Sequence, residues 1–275
     1  MFLNPGVTPD GNPGFESLLD KIMAGTKSKQ AVIIRPPDSI YQAHGEIENG
    51  SFAGRWHFSF EEYHEREYTH FGTLRVFNDD TLSPGATWPL HPHRNIEVVT
   101  YCAGGEFRHA DENGVGSILQ KGWVLHTTIG RGMWHAEINN RRDQPMRFIQ
   151  MWFMPREHNL EPAQQMLKVN KDQRRNIMLP LVSNDDEEAL PIASDAHVYS
   201  SFLESGRDAG YELGVGQGAY IYVVEGGPVR LNGHSLPELG AAKIFGGLEV
   251  RVEAENDAEL LLVGVPLAVG HHYGI

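Results

Sequence analysis

The sequence HPHRNIEVVTYCAGG, at positions 91–105, places two histidines one residue apart just before a β-branched run. The run predicts a β-strand. Side chains on an extended chain alternate between its two faces, so His91 and His93 point the same way, and Pro92 stiffens the backbone between them. Two imidazoles on one wall of a barrel can bind one metal ion. The stretch therefore predicts part of a metal site on a strand.

The sequence GRGMWHAEI, at positions 130–138, contains a second pair at the same spacing, His135 and Glu137. A single His-x-His is more often a turn or a surface feature than a metal site, and the second pair strengthens the metal hypothesis. Facing strands that carried both pairs would supply three imidazoles and one carboxylate. The absence of a thiolate from this set argues against a closed structural zinc site.

The composition favours a turn-rich β protein. The 275 residues are 40% apolar and include 30 glycines and 16 prolines, which allows a sizeable core and many short strands. The chain carries 23 Lys and Arg against 36 Asp and Glu, a formal net charge of −13. A chain of this charge does not follow a phosphate backbone, so we expect no direct nucleic-acid partner.

Cys102 is the one cysteine of the sequence, so the chain forms no internal disulfide and suits a reducing compartment. The first residues have no signal-peptide pattern. No stretch approaches the roughly 20 apolar residues of a membrane span. We therefore expect a soluble cytoplasmic protein with no membrane partner.

Two halves of the chain share a strand pattern and predict two antiparallel β-barrels. VTYCAGGEFR, from Val99, aligns with IYVVEGGPVR, from Ile221, at an offset of 221 − 99 = 122 residues. Both segments pass from a strand through a glycine turn into a second strand, which suggests an internal repeat. The polar runs NDD at 78–80 and DENG at 111–114 predict turns.

The second half carries no counterpart of the histidine pairs. Under the same offset, the positions of His91, His93 and Glu97 are occupied by Leu213, Val215 and Ala219. The late histidines, which lack paired spacing, are His197, His234, His271 and His272. The second barrel is therefore expected to be degenerate and structural.

These patterns divide the chain into four predicted parts. They are an N-terminal extension over 1–37 with a helical candidate from Phe15, a metal-binding barrel over 38–157, a partly helical connecting segment over 158–195, and the degenerate barrel over 196–275.

Five segments in order resemble the pirin family of two-domain cupins: HFSF at 57–60, FGTLRVFNDD at 71–80, HPHRNIEVVTY at 91–101, GRGMWHAEIN at 130–139 and QMWFMP at 150–155. The spacing from Gly85 through His91, His93 and Glu97 to Gly104 also fits the first motif of the cupin superfamily. The resemblance covers about positions 56–155. It implies an all-β bicupin of two antiparallel jelly-roll barrels with a few short helices.

The resemblance also implies an iron or other divalent metal ion in the first barrel, with His91, His93, His135 and Glu137 as ligands. Fe(II) is favoured, and Mn, Ni, Cu and Zn remain compatible with imidazole and carboxylate ligands. Some pirins resemble quercetin dioxygenases in activity, and the animal member is described as a nuclear transcription cofactor.

Four further residues are candidates near the site. Glu97 could orient a ligand histidine or replace Glu137 as the ligand, and a carboxylate at the barrel rim is the plain alternative. His57 and His126 could line the pocket, although a hydrogen-bonded structural role is as common for buried histidines. Trp134 departs from the usual family residue and could narrow the pocket entrance.

The expected function is oxidative ring cleavage of a flavonol such as quercetin, or of another enolic aromatic, by dioxygen. Four ligands on an octahedral ion leave two open positions, and Glu137 could accept the substrate proton as a catalytic group. The alternative is a non-catalytic, metal- or redox-sensing regulatory binding protein. A metal isomerase or hydrolase with the same ligands is a third hypothesis.

Overall fold

The computed structural model describes residues 31–246 and 249–267, and their regular structure is almost entirely β-sheet. The strands of the first part are β1 (Ala31–Arg35), β2 (Tyr41–Ile47), β3 (Gly50–Trp56), β4 (Leu74–Leu82), β5 (Thr87–His93), β6 (Glu97–Gly104), β7 (Glu106–Asp111), β8 (Ile118–Gln120), β9 (Val124–Thr128), β10 (Met133–Asn139), β11 (Met146–Phe153) and β12 (Ala163–Leu167). Those of the second part are β13 (Leu179–Val182), β14 (His197–Leu203), β15 (Asp208–Glu212), β16 (Gln217–Gly226), β17 (Val229–Leu231), β18 (His234–Leu236), β19 (Ala241–Phe245), β20 (Glu249–Ala254) and β21 (Ala258–Pro266).

Helical structure in these residues is limited to three short 3₁₀ helices, Pro37–Ser39, Arg66–Tyr68 and Asp172–Arg174. The helical candidate from Phe15 lies outside the described residues. Within the described part of the chain, no helix has the length and apolar character needed to span a membrane.

The strands form four sheets arranged as two barrels. In the first barrel the larger sheet has the order β12-β9-β6-β11-β4-β3-β2 and the smaller one the order β5-β10-β7-β8. In the second barrel the orders are β1-β19-β16-β21-β14-β13 and β15-β20-β17-β18. All pairings between these strands are antiparallel. The predicted all-β fold of two antiparallel barrels is confirmed.

Buried and exposed side chains alternate along the strands, and the buried ones form a separate core in each barrel. On β20 the buried Val250 and Val252 alternate with the exposed Arg251, as a strand between a core and solvent requires. The interior of the second barrel is an apolar cluster that includes Leu260 and Leu262. The first barrel has a smaller apolar cluster that includes Cys102 and Phe148.

The larger sheets of the two barrels pack against each other. A single apolar cluster joins Val99 and Tyr101 of β6 with Tyr220 and Tyr222 of β16. The strands β6 and β11 are therefore covered on both faces, one by their own barrel and the other by the second barrel. This explains why both read as continuous apolar runs in the sequence.

Both barrels take edge strands from segments that lie outside their predicted boundaries. The strand β1 lies in the predicted N-terminal extension, yet it pairs with β19 of the second barrel. The predicted connecting segment contributes β12 to the first barrel, next to β9, and β13 to the second barrel, next to β14. The segment expected to be partly helical therefore contains two strands, because pairing satisfies the backbone groups of otherwise open sheet edges.

One of the two predicted turns is wrong. The residues 78–80 lie inside β4, where Asp79 accepts two hydrogen bonds from Arg147 at 2.8 and 2.7 Å. The indole Nε1 of Trp56 donates to Asp80 at 3.1 Å. Buried partners thus allow acidic residues in a strand, where the sequence alone indicated a turn. The DENG turn is confirmed between β7 and β8, with Gly114 at a φ of 76°.

Candidate metal centre

Two neighbouring strands of the smaller sheet bring three histidines together. Antiparallel pairing of β5 with β10 sets His91 opposite His135 and His93 opposite Met133. The three ring centroids lie 4.6 to 5.0 Å apart. One ring nitrogen from each histidine lies within 4.8 Å of the others, so the group could hold a metal ion.

The hydrogen bonds around these rings direct ring nitrogens towards one another. The Nδ1–H of His91 donates to the carbonyl oxygen of Pro89 at 2.7 Å, which leaves Nε2 as the unprotonated nitrogen. That Nε2 lies 3.1 Å from Nε2 of His135. The Nε2 of His93 is buried without a hydrogen-bond partner. An unpartnered buried nitrogen is costly, and a metal ion would satisfy it.

The environment keeps two of these imidazoles neutral. Burial, and then the neighbouring His91, lower the pKa of His93 to about 4. The same two causes, followed by His109 and His93, lower the pKa of His135 to about 2. Both rings are therefore uncharged at neutral pH, the state in which imidazole binds a metal ion.

Glu137 lies on the same wall of the barrel, two residues after His135 on β10, and is buried. The amide nitrogen of Gln150 donates a hydrogen bond to its Oε1. Burial raises the pKa of Glu137, while His91 and Gln150 act in the opposite direction. Among the described residues, the mutually close group of ligand atoms comprises the three imidazoles and does not include this carboxylate. Its role as a fourth ligand stays a prediction.

An aromatic side chain from the larger sheet packs against the three histidines. The ring of Trp152, on β11, lies 4.6 Å from that of His93 at an interplanar angle of 68°. Its Nε1–H donates to Oε1 of Gln150 at 2.7 Å, so Gln150 connects Trp152 with Glu137. Within the segment QMWFM at 150–154, Gln150 and Trp152 face the site, whereas Met151 belongs to the core between the barrels.

Sequence reasoning missed His109 and Gln164. His109, on β7, is buried with its Nε2 2.9 Å from Nδ1 of His135. The Nε2 of Gln164, on β12, lies 3.1 Å from Nδ1 of His109. Alternation on β7 places His109 on the same face as the core residue Phe107, which was an available signal. Nothing in the sequence indicated Gln164, because only the pairing of β12 with β9 brings it there.

Glu97 and His126 point away from the three histidines, towards the second barrel. Oε2 of Glu97 accepts hydrogen bonds from Nε2 of His126 at 2.8 Å, from the hydroxyl of Thr128 at 3.0 Å and from the backbone nitrogen of Ala193 at 3.2 Å. Alternation puts Glu97 on the same face of β6 as Val99, which packs against the second barrel. The proposed role of Glu97 as an orienting group or alternative ligand is therefore wrong, and His126 does not line the pocket.

The structure also removes His57 and Trp134 from the pocket. Nδ1 of His57 is 2.7 Å from the hydroxyl of Tyr220, and its ring packs against Phe77 and Tyr222 between the barrels. Trp134 precedes the inward-facing His135, so it lies on the outer face of the sheet, where it is 49% exposed. A tryptophan in that position does not narrow the entrance from inside.

The second barrel has apolar residues where the first has its histidines. The corresponding strands β15 and β20 pair Tyr211 with Val250 and Ala209 with Val252, and these side chains belong to or pack against the inner core. The constant offset is not kept on these strands, since Val215 is fully exposed in a loop. Of the late histidines, Nδ1 of His197 lies 3.0 Å from the hydroxyl of Ser183 and His234 is exposed. His271 and His272 lie outside the described residues.

Comparisons with known proteins agree with this fold. The pirin family model matches residues 41–153, and the model of the quercetinase C-terminal cupin domain matches residues 180–265. A pirin-like protein of Caulobacter vibrioides is 33% identical over 221 residues, which cover 80% of this chain and 94% of the relative. Quercetin 2,3-dioxygenase of Escherichia coli K12 is 26% identical over 219 residues, covering 79% and 94% respectively. The crystal structure of the bacterial pirin YhhW from E. coli in complex with nickel(II) matches with a TM-score of 0.78 and 24% identity, over 86% of this chain and 100% of that one.

Proposed function

This chain belongs to the pirin family, and we propose that it is a metal-dependent dioxygenase that cleaves a flavonol such as quercetin or another enolic aromatic. The observation that supports this function best is the convergence of three imidazoles inside the first barrel, one of them with an unpartnered buried nitrogen. A buried carboxylate and an indole ring lie beside them.

The residues that would hold the ion are His91, His93, His135 and Glu137. Neutral imidazoles and a carboxylate suit Fe(II), which we favour, and also Mn, Ni, Cu and Zn. The nickel(II) complex of a pirin with the same fold supports a divalent ion as the cofactor. When bound, the ion supplies Lewis acidity and chemistry with dioxygen.

The side chains of this chain would bind and deprotonate the substrate. Glu137 would take the proton of the enol hydroxyl. Burial raises the pKa of its carboxyl, which makes the carboxylate a stronger base. Gln150 would hold Oε1 of Glu137 in place through its amide. The half-buried indole of Trp152 would contact the aromatic rings of the substrate and exclude water.

Oxygen uptake by the reconstituted protein tests this proposal. Protein loaded anaerobically with Fe(II) should consume dioxygen with quercetin or a smaller enol or catechol, and His135→Ala should abolish the uptake. Trp152→Ala should raise KM for the aromatic substrate, whereas the matched variant Trp134→Ala should leave KM unchanged, since that indole lies on the outer face. If the fully loaded protein consumes no oxygen with a broad panel of enols and catechols, the metal-sensing function replaces the dioxygenase.

A further inference from the structure

Both ring nitrogens of His135 have neighbours. Nε2 faces the cluster, 3.1 Å from Nε2 of His91, while Nδ1 lies 2.9 Å from Nε2 of His109 on the opposite side of the ring. His109 is 2% exposed and belongs to β7, which pairs with β10 along the whole of this region. The contact between the two imidazoles is thus fixed by strand pairing and shielded from water.

His109 is itself held from a separate part of the chain. The amide nitrogen Nε2 of Gln164 lies 3.1 Å from Nδ1 and 3.3 Å from Nε2 of His109, and 3.7 Å from Sδ of Met133. Gln164 comes from β12, the edge strand that follows the first barrel in sequence. A terminal amide carries an acceptor as well as a donor. A half-turn of this amide about its Cγ–Cδ bond would bring its oxygen to Nδ1–H of His109 and leave the lone pair of His109 Nε2 directed at His135.

We infer that His109 is a positioning residue for His135 in the metal-bound protein: with the amide oxygen of Gln164 turned to its Nδ1–H, it accepts a hydrogen bond from the Nδ1–H of His135 and so keeps the Nε2 lone pair of His135 directed at the metal ion. A neutral imidazole has one N–H, so fixing that hydrogen on Nδ1 leaves Nε2 free to bind. The inference rests on the metal site of the proposed function, and it does not depend on the reaction.

The neighbouring histidine provides an internal comparison. His91 donates its Nδ1–H to the backbone carbonyl of Pro89, an oxygen that can only accept. His109 could either donate or accept, so its acceptor role towards His135 requires the amide of Gln164 to turn its oxygen to the Nδ1–H of His109. Its ring stands on the Nδ1 side of His135, at a centroid distance of 4.9 Å, and it is not part of the group of three close imidazoles.

Cobalt(II) loading of the full-length protein tests the positioning role. Proton NMR of the Co(II) form should show a hyperfine-shifted Nδ1–H of His135 that exchanges slowly with solvent. In His109→Phe this signal should be lost by fast exchange, and Co(II) affinity, measured against a chromogenic chelator, should fall by about 10- to 100-fold. His109→Gln, which keeps an acceptor, should restore the signal and much of the affinity. The control is His126→Gln, a buried histidine on the other face of the barrel, which should change neither quantity.

An unchanged signal and affinity in His109→Phe would overturn the positioning role, as would an equal loss in His126→Gln. If Co(II) binding follows the expected pattern but the Fe(II) protein consumes no oxygen, the positioning role stands and only the dioxygenase proposal fails. Wild-type protein that binds no Co(II) would overturn both.

Discussion

The two barrels share a strand arrangement and differ in what they enclose. Their smaller sheets, β5-β10-β7-β8 and β15-β20-β17-β18, have corresponding strand orders. The inner wall of the first carries His93, His135 and Glu137, whereas that of the second carries residues such as Val250 and Val252. The difference shows that this fold tolerates a polar or an apolar interior, and that the chemistry depends on a few inward-facing positions.

The polar interior needs partners that the apolar one does not. Glu137 is bonded by Gln150 and Asp80 by the indole of Trp56, whereas Oδ1 of Asn78 is buried without a partner. Unsatisfied or charged groups in a barrel interior lower stability. We therefore expect the first barrel to carry the metal site and the second barrel, with the core between them, to carry much of the stability.

The largest expected effect separates metal binding from folding. His93→Ala should weaken metal affinity by more than about 100-fold, beyond the 10- to 100-fold typical of residues that only support ligands. Chelator competition measures the affinity, and circular dichroism should show an intact fold, since His93 is not part of the three apolar clusters. His234→Ala, at an exposed site in the second barrel, is the control. Unfolding of the metal-free protein would show that folding depends on the metal ion.

In the second barrel we expect a core substitution to lower stability without changing metal affinity. Leu262 is fully buried in its inner core. Leu262→Ala should lower the free energy of unfolding by about 2–5 kcal/mol through lost burial and a cavity, as measured by denaturant titration. Metal affinity at a temperature where the variant is folded should stay unchanged. A loss of metal affinity comparable to that of His93→Ala would mean that metal binding in the first barrel depends on the core of the second.

The last expected effect depends on pH and concerns the carboxyl of Asp80. Burial raises its pKa well above the usual range, with Asp79 and Glu137 adding to the shift and the Trp56 hydrogen bond opposing it. The folded protein therefore retains a proton that the unfolded chain loses above about pH 4, so this group makes stability fall as pH rises.

Asp80→Asn should remove that decline. The variant should equal wild type near pH 4 and become more stable by up to about 1.4 kcal/mol for each pH unit above it, until the carboxyl of the folded wild type ionises. Urea titrations of the metal-free proteins between pH 4 and 8 measure the difference. Parallel stability profiles would show that Asp80 is not protonated in the folded state.

Much of the fold and part of the site could be predicted from local sequence patterns. Strands such as β6 and β11 followed from their apolar runs, and the grouping of His91 with His93 followed from their spacing of two. The edge strand β12 could not be predicted, because its partner β9 lies more than thirty residues earlier in the chain. Local propensity does not decide such a pairing.

The sequence by itself determined which residues share a face of a strand, and hence that two pairs of ligand-type side chains would each point together. Only the tertiary structure decided which face is the inside of a barrel. Glu97 and His93 belong to neighbouring segments, yet His93 points into the first barrel and Glu97 towards the second. Gln164 reaches His109 through the pairing of β12 with β9, which no local pattern records. The physical reason is that alternation fixes relative orientation within a strand, whereas burial depends on what packs against each side.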